Sequence, residues 1–157
     1  MPIDFLHVEV VTQERMLFEE READMVIIPG SEGEMGILPN HAPLLTTMKL
    51  GELRVKKGDA EESFVIYGGV VEVRPDKVVV LADAADFAAN INIAEIEAAR
   101  ERAAKILAEG PPPEEQALIA ADLRRAELAL DVTRKTASRA GSVRIVSQER
   151  DMTRSNN

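Results

Sequence analysis

The sequence predicts an N-terminal β domain, an antiparallel sandwich or barrel of short strands, followed by a C-terminal hairpin of two α-helices. Three observations lead to this fold class. Residues 1–87 contain short apolar runs between turn residues, residues 92–138 carry apolar side chains at helical spacing, and the composition changes from Val, Ile, Gly and Pro to Ala, Glu and Arg between them. Evenly spaced short strands are typical of antiparallel sandwiches, and a change of apolar period marks a change from strand to helix.

Short apolar runs make up the predicted strands of residues 1–87. In residues 3–11, Leu6, Val8 and Val10 alternate with polar side chains, which is the period of a half-buried strand. Eight further runs follow, at residues 16–18, 25–28, 36–38, 44–48, 53–55, 64–67, 70–73 and 78–81. Turn residues separate them, at Pro29-Gly30, Pro39-Asn40, Leu50-Gly51, Lys57-Gly58-Asp59, Gly68-Gly69 and Arg74-Pro75-Asp76. The pattern therefore predicts short strands separated by turns at these positions.

Two helices are predicted after residue 90. Asn92 is a suitable N-cap for the first helix, with Glu95 in the capping-box position, and Gly110 followed by three prolines ends it. The second helix is predicted from Glu114 to Ser138, with Gly141 as its C-cap. A short Pro-rich turn between two helices favours an antiparallel hairpin. Its facing residues are mostly alanine, so we expect the hairpin to bury little area.

The charge distribution supports the same division of the chain. Residues 1–87 hold 8 basic and 17 acidic residues, whereas residues 88–157 hold 11 of each. We therefore predict a β-sandwich domain at 1–87, an α-helical hairpin at 88–141 and a basic or polar tail at 142–157. Within the tail, residues 143–146 are predicted as a short strand or an extended segment.

The composition excludes several classes of function. A net charge of −9 and 3% aromatic residues disfavour a nucleic-acid-binding protein, which needs a basic surface and stacking side chains. There is no cysteine, so disulfides and thiolate metal sites are excluded. No apolar run approaches the roughly 20 residues of a membrane-spanning helix, and the first residues do not have the pattern of a signal peptide. Cytoplasmic residence is therefore expected.

The polar motifs do not form a catalytic or metal-binding pattern. His7 and His41 lie far apart without a zinc-binding spacing, so no metal site is predicted, and His41 is interpreted as a turn residue that hydrogen-bonds nearby backbone. Ser31 lies in a glycine-rich turn that is not a nucleophile elbow, and the glutamates beside it would repel phosphate. We therefore expect no catalytic residues and interpret this turn as a rigid acidic tip that contacts a partner.

The arginines of the helices have two interpretations. In a closed hairpin they would converge on a phosphate group, which forked guanidinium groups bind well. The alternative is a solvated helix face with Glu–Arg pairs. The arginines concerned are Arg100, Arg124, Arg125, Arg134 and Arg139.

An ordered series of segments resembles the epsilon subunit of bacterial F-type ATP synthases. The segments are GEMGILPNHAPLLT at residues 33–46, Gly51-x-Leu53-Arg54, GGVVEV at residues 68–73, VLAD at residues 80–83 and RAELAL at residues 125–130. The resemblance covers residues 2–140. It implies a ten-stranded antiparallel β-sandwich followed by a two-helix antiparallel hairpin, in agreement with the pattern above.

The resemblance also implies a function. Such a subunit belongs to the central stalk at the cytoplasmic side of the bacterial cell membrane, as a peripheral and non-catalytic protein. It binds the gamma subunit and the c-subunit ring and rotates with them, coupling proton translocation to ATP synthesis. Its hairpin can extend toward the alpha and beta subunits of the catalytic head and inhibit ATP hydrolysis. The competing hypothesis is a stand-alone ATP-sensing module.

The resemblance assigns roles to particular residues. The tip Ser31, Glu32, Gly33 and Glu34 corresponds to the loop that faces the c ring, and His41 belongs to the same signature. After Gly141 the chain continues where many members of the family end. The basic residues of positions 134–154 are expected to meet acidic surfaces of the head, or else to form a disordered solubilising tail. They are Arg134, Lys135, Arg139 and Arg144.

Some members of the family bind ATP through an Ile/Leu-Asp-x-x-Arg-Ala motif in the first helix. Here the corresponding residues include Ile96, Glu97 and Arg100, so the aspartate is replaced by the longer glutamate. Glu101 replaces the alanine and adds negative charge, while Arg125 and Arg134 are the candidate phosphate ligands of the second helix. ATP is therefore expected to be at most a weak regulatory ligand, and no other cofactor is predicted.

Overall fold

The computed structural model describes residues 2–139 and 143–145. The described residues form two compact units: one contains residues 2–86 together with 143–145, and the other contains residues 87–139. Residues 143–145, which the sequence assigns to a separate tail, thus belong to the β unit. Within the described residues, no helix is both long enough and apolar enough to cross a membrane.

Eight strands form a single sheet in the first part of the chain. They are β1 (Leu6–Val11), β2 (Met16–Ala23), β3 (Met25–Gly30), β4 (Gly33–Ile37), β5 (Leu44–Lys57), β6 (Ala60–Val73), β7 (Lys77–Ala82) and β8 (Ala85–Phe87). Their order is β2-β1-β7-β6-β5-β3-β4, and β8 pairs with β6. Strand β1 pairs with β7 in parallel, so the predicted antiparallel arrangement is wrong for this pair. The reason is the long connection through β2–β6, which brings β7 back beside β1 in the same direction.

The sheet folds over on itself to form the predicted sandwich. The rings of Phe18 in β2 and Phe64 in β6 meet edge to face, with 5.1 Å between their centroids, although β1 and β7 separate these strands in the sheet. The core between the two layers is built from alternating strand residues, including Leu6, Val8, Val10, Val26, Ile28, Ile37, Leu53, Val55, Phe64, Ile66, Val71, Val73, Val78 and Val80. The fold class predicted from the sequence is therefore confirmed.

The described residues contain eight strands rather than the ten that the resemblance implies. Two of the predicted turns are absent, so four of the nine predicted runs merge into β5 and β6, whereas β8 was not predicted. Strands β5 and β6 each have 14 residues and run straight through Gly51 and Gly68-Gly69. Their register is constant from Leu44↔Val73 to Lys57↔Ala60. A side chain at Gly69 would collide with the backbone of β7, and one at Gly51 would collide with the Pro29 ring. These glycines therefore permit close approach within continuous strands and do not form turns.

The second unit is a helical hairpin. Helix α1 (Ile93–Ala108) begins as predicted, since Asn92 Oδ1 accepts a hydrogen bond from Glu95 N–H at 3.2 Å. Gly110, with φ +67°, follows its end, and helix α2 (Pro113–Ser138) begins within the run of prolines. The C-cap of α2 is Arg139, whose N–H donates to the Lys135 carbonyl. This differs from the predicted cap, Gly141, which lies outside the described residues.

The two helices differ in burial. Helix α1 has no buried residue, as expected from its alanine-rich faces. Helix α2 buries a short stretch, comprising Ala126, Ala129, Leu130, Val132 and Thr133. Small side chains bury little apolar area, so the packing of α1 contributes little to the free energy of unfolding.

Candidate functional site

An apolar strip crosses the solvent-facing side of four neighbouring strands. It consists of Leu45 of β5, Val70 of β6, Leu81 of β7 and Val11 of β1. Val70 pairs directly with Leu81, and Leu81 with Val11, so these side chains share one face of the sheet. Leu45 pairs with Glu72, two residues from Val70, so it lies diagonal to Val70 on the same face. Leu45 is 72% exposed, Leu81 49% and Val70 36%. Adjacent exposed apolar residues on a sheet mark a surface suited to a partner.

A cluster of charged residues continues the same face beside the strip. His7 Nε2 lies 2.8 Å from Glu19 Oε1 and 3.5 Å from Glu9 Oε1. Lys77 Nζ lies 3.2 Å from Glu9, and Arg21 Nη2 lies 3.1 Å from Glu19. Strands β1 and β2 bring His7, Glu9 and Glu19 close enough to hold a metal ion. The two cations already balance the two carboxylates, however, so the cluster is an ion-pair network with no excess negative charge to attract a metal.

The acidic tip is the two-residue connection between β3 and β4. Gly30 pairs with Gly33 at its base, which leaves Ser31 and Glu32 exposed at the turn. The Ser31 N–H and hydroxyl both donate to the Thr47 carbonyl, at 3.1 and 3.0 Å, and the hydroxyl also meets Thr47 Oγ1. These bonds fix the tip to β5 and leave the Glu32 side chain facing solvent.

Glu34 completes the charged surface of the tip. Its side chain is 65% exposed, and its Oε1 lies 3.4 Å from Arg54 Nη2. Arg54 also lies 3.6 Å from Glu52, so one cation is shared by neighbouring carboxylates. Exposed pairs of this kind contribute little to stability, and the tip stays acidic.

His41 lies at the opposite end of β4 from the tip. Its N–H donates to the Leu38 carbonyl at 3.2 Å, and its Nδ1 hydrogen-bonds the Ala42 carbonyl at 2.7 Å, as the turn interpretation predicts. Strand β4 has five residues, or about 17 Å of extended chain, so the structure does not bring His41 together with Ser31.

Asn40 organises this end of the β unit, and the sequence patterns did not identify it as a contact residue. Its side chain accepts from the Ile3 N–H at 3.0 Å and donates to the Ile3 carbonyl at 2.8 Å. Its own N–H donates to the Pro75 carbonyl at 2.7 Å. Asn40 has a φ of 70°, which asparagine tolerates better than most residues. The Pro-Asn dipeptide predicted a turn, but its two distant partners emerge only in the fold.

The residues expected to bind ATP are only partly brought together. Arg134 Nη2 donates to Glu97 Oε1 at 3.2 Å, so these two residues join the helices. Ile96 and Arg100 flank Glu97 on α1 and are half-buried. Arg125 lies nine residues before Arg134, which is about 13.5 Å along α2 and two and a half turns, so the two arginines occupy opposite sides of the helix. They do not form one phosphate cradle.

The basic residues assigned to the tail region are engaged within the chain. Arg134 pairs with Glu97. Lys135 Nζ lies 3.0 Å from Asp131 Oδ2, one turn earlier on α2. Arg139 is the C-cap residue of α2. Arg144 Nη2 lies 2.8 Å from Oε1 of the buried Glu62. This last contact joins residues 82 apart in the chain, and no local sequence pattern points to it.

Comparison with known proteins places the fold in a defined class. Residues 5–88, more than half of the chain, match the family described as "ATP synthase, Delta/Epsilon chain, beta-sandwich domain". The first unit is thus the β-sandwich domain of that class of ATP synthase chains.

Relatives identify the family more closely. The ATP synthase epsilon chain of Dehalococcoides mccartyi is 49% identical over 134 residues, covering 83% of this chain and 93% of the relative. That of Syntrophobacter fumaroxidans is 43% identical over 131 residues, covering 83% and 97%. The chain belongs to the ATP synthase epsilon chain family. A chain in the cryo-EM structure of the Euglena gracilis mitochondrial ATP synthase has the same fold, with a TM-score of 0.65 at 20% identity, over 88% of this chain and 82% of that one.

Proposed function

We propose that the chain is the epsilon subunit of the central stalk of an F-type ATP synthase and that it acts by binding rather than by catalysis. In this role it docks on the gamma subunit and the c ring, rotates with them and couples proton translocation to ATP synthesis. Its place is peripheral, at the cytoplasmic side of the bacterial cell membrane. Family membership supports the assignment, and the apolar strip is the observation that carries it.

The apolar strip is the proposed docking face for gamma. Its residues lie on rigid strands, so binding requires little ordering of the backbone. Full burial of one such side chain contributes about 1.5–3 kcal/mol, and a buried apolar centre with a charged border is the usual anatomy of a protein interface. The charged cluster around Glu9 and Glu19 supplies that border on one side.

The acidic tip at Ser31–Glu34 is the proposed contact with the c ring. A short, rigid turn suits contact with the polar loops of a partner. Here Ser31 is fixed to Thr47 by three hydrogen bonds. Thr47 pairs with Val70 of the apolar strip, so one strand connects the two proposed surfaces. A torque applied at the tip is thereby transmitted through β5 to the gamma-binding face. His41, at the far end of β4, is not part of this contact.

The helical hairpin is the proposed regulatory element. Helix α1 has no buried residue, which supports a hairpin that rearranges at low free-energy cost. Extended toward the alpha and beta subunits of the head, it would inhibit ATP hydrolysis and present basic residues such as Lys135 and Arg139 to acidic surfaces. Reaching those surfaces requires exchange of their present partners, so inhibition is expected to weaken at high salt.

The docking proposal is tested by a matched pair of substitutions. Leu45→Gln removes an apolar side chain from the strip, while Leu118→Gln removes one that is 69% exposed on α2. Binding of each full chain to the cognate catalytic head carrying gamma is measured by calorimetry. We expect Leu45→Gln to weaken binding at least about tenfold and Leu118→Gln to leave it unchanged. Equal affinities for the two variants would contradict the assignment of the strip.

Inhibition is tested in the same complex. ATP hydrolysis by the head carrying gamma is titrated with the full chain and with a copy truncated after Asp86. If both bind and only the full chain slows hydrolysis, both the stalk role and the inhibitory hairpin are supported. If both bind and neither slows it, the inhibitory role fails while the coupling role stands.

A further inference from the structure

Residues 143–145 lie on the β unit as an added, strand-like segment. Val143 pairs with Ala60 in a parallel β-bridge, and the Glu61 N–H donates to the Val143 carbonyl at 2.8 Å. Ala60 is the first residue of β6, so the segment lies where β5 turns into β6. Addition of an extended segment to a sheet through main-chain hydrogen bonds is a common mode of peptide recognition.

Arg144 makes the specific contact of this segment. Its Nη2 and Nε lie 2.8 and 3.2 Å from Glu62 Oε1, and its Nε lies 3.4 Å from Oε2. The Glu62 side chain is 2% exposed and shares the inward face with Val55, its cross-strand partner. Burial of a carboxylate is unfavourable unless a hydrogen-bonded cation compensates it. Strand β6 therefore contains an acidic site that requires an arginine, and Arg144 supplies it.

Burial increases along the segment. Val143 is 64% exposed, Arg144 is half-buried and Ile145 is 9% exposed. Val143 is therefore held through its backbone, whereas the Ile145 side chain is removed from solvent. The segment thus combines a main-chain hydrogen bond, a half-buried ion pair and one buried aliphatic side chain, and each of these favours the docked state.

We propose that residues 143–145 are a strap that occupies a docking groove formed by Ala60, Glu61 and Glu62, and that the strap restrains the C-terminal end of α2. Helix α2 ends at Ser138, five residue steps before Val143. An extended chain covers at most about 17 Å in five steps. While the strap is docked, the chain is therefore anchored five residues after the end of α2, and this short connection limits the movement of the helix end.

The restraint matters because the hairpin has little packing of its own in α1. Undocking the strap breaks the hydrogen bonds of Arg144 with Glu62, so release is opposed by an interaction that the helices do not provide. Resting on the proposed function, the consequence is that the hairpin of this stalk subunit extends toward the head only after the strap has left the groove. The docked strap thus keeps the hairpin out of its inhibitory state.

Strap docking is tested by a disulfide in the full chain, which is otherwise free of cysteine. The double variant Ala60→Cys/Val143→Cys should form an intramolecular disulfide on mild oxidation, because the β-bridge places these positions side by side. Adding Arg144→Gln should slow its formation at least about tenfold, since the docked population falls when Glu62 loses its cation. Adding Arg150→Gln, at a tail arginine outside the described residues, should leave the rate unchanged. Absence of the disulfide, or equal slowing by both arginine variants, would overturn the strap.

A folding control keeps the test decisive. If Arg144→Gln alone unfolds the domain, the double change Glu62→Gln/Arg144→Gln replaces it, because removal of both charges leaves no buried unpaired carboxylate. This variant is expected to fold and still to crosslink more slowly than the chain with Arg144. Crosslinking at the original rate in this variant would show that the ion pair does not hold the segment.

Two further measurements test the restraint of α2 and its effect on inhibition separately. Hydrogen exchange in residues 132–138 should be slower in the oxidised than in the reduced double-cysteine chain, and unchanged exchange would overturn the tether. In the complex with the head and gamma, the oxidised chain should bind without inhibiting hydrolysis, and the reduced chain should inhibit. If the disulfide slows exchange but both chains inhibit equally, the strap and tether stand and the extending hairpin of the proposed function fails.

Discussion

Ser31 donates both its backbone N–H and its hydroxyl to the Thr47 carbonyl, at 3.1 and 3.0 Å. This double contact ties the exposed tip between β3 and β4 to the strand that carries the apolar strip. The two surfaces assigned to different partners are therefore parts of one rigid body. In the proposed function, the three hydrogen bonds between Ser31 and Thr47 give the tip its mechanical connection to β5.

Loss of the Ser31 hydroxyl should loosen the tip without unfolding the domain. Ser31→Ala removes one of the two donors to Thr47, and a net hydrogen bond of this kind contributes about 0.5–1.5 kcal/mol. We expect a loss at the low end of that range, because the site is exposed and water replaces the bond. Urea unfolding measures the free energy, with Ser138→Ala at the exposed end of α2 as the control. A loss above about 3 kcal/mol for Ser31→Ala would indicate a larger structural role than the contacts support.

Gly69 and Gly33 have the same backbone φ but different surroundings. Their alanine variants therefore separate the cost of a steric collision from the cost of an unfavourable φ. Gly69 and Gly33 both have a φ of +139°, yet a Cβ at Gly69 would meet the Leu81 carbonyl, whereas one at Gly33 would have nothing within 4 Å. We expect Gly69→Ala to destabilise the domain by at least about 2 kcal/mol more than Gly33→Ala, since both share the strain of φ and only one has the collision. Urea unfolding of the two variants measures the difference. Equal losses would mean that the approach of β6 to β7 relaxes freely.

The glycines within β5 and β6 explain why the strand count could not be predicted. Gly51 and Gly68-Gly69 give the same local signal whether the chain turns or continues past a close neighbour. The deciding atoms belong to Pro29 and Leu81, which are remote in sequence. By contrast, the apolar alternation around Leu6, the cap at Asn92 and the start of α2 depend on neighbouring residues, and the sequence predicts all three correctly.

The residues of the candidate site also fall into those that the sequence predicts and those that only the fold brings together. The tip at Ser31 and the turn bonds of His41 are local features and follow from glycine and proline spacing. The apolar strip joins Leu45, Val70 and Leu81 through cross-strand register, which composition and period do not specify. The contact of Arg144 with Glu62 spans 82 residues, so the sequence showed only a basic tail where the structure has a half-buried ion pair.

A second buried acid predicts an asymmetric double-mutant result. Glu20 is 1% exposed, and its Oε1 lies 2.7 Å from Lys57 Nζ. Within the described residues, its Oε2 has no hydrogen-bond partner. Lys57→Met removes the compensating cation and should destabilise the domain by about 2 kcal/mol, below the range of 3–5 for fully buried pairs because Lys57 is partly exposed.

Removal of the acid as well should restore much of that stability. In Glu20→Gln/Lys57→Met no charge is left buried, so we expect the loss to fall to about 1 kcal/mol or less. Thermal and urea unfolding of the single and double variants give the interaction free energy directly. Additive losses would show that Lys57 does not compensate Glu20.

ATP binding provides the sharpest contrast between a stalk subunit and a stand-alone ATP sensor. Arg134 Nη2 donates a hydrogen bond to Glu97 Oε1 at 3.2 Å, and Arg125 lies on the opposite side of α2. A triphosphate would therefore have to displace a carboxylate and would gain only one arginine from α2. We expect a Kd weaker than about 1 mM, equivalent to less than about 4 kcal/mol of binding free energy, in calorimetric titration of the full chain. Glu97→Gln should strengthen binding several-fold by freeing Arg134, whereas Glu127→Gln, on α2, should not. Micromolar binding by the unaltered chain would instead favour the sensor, because such affinity requires a formed phosphate site that the Glu97–Arg134 pair excludes.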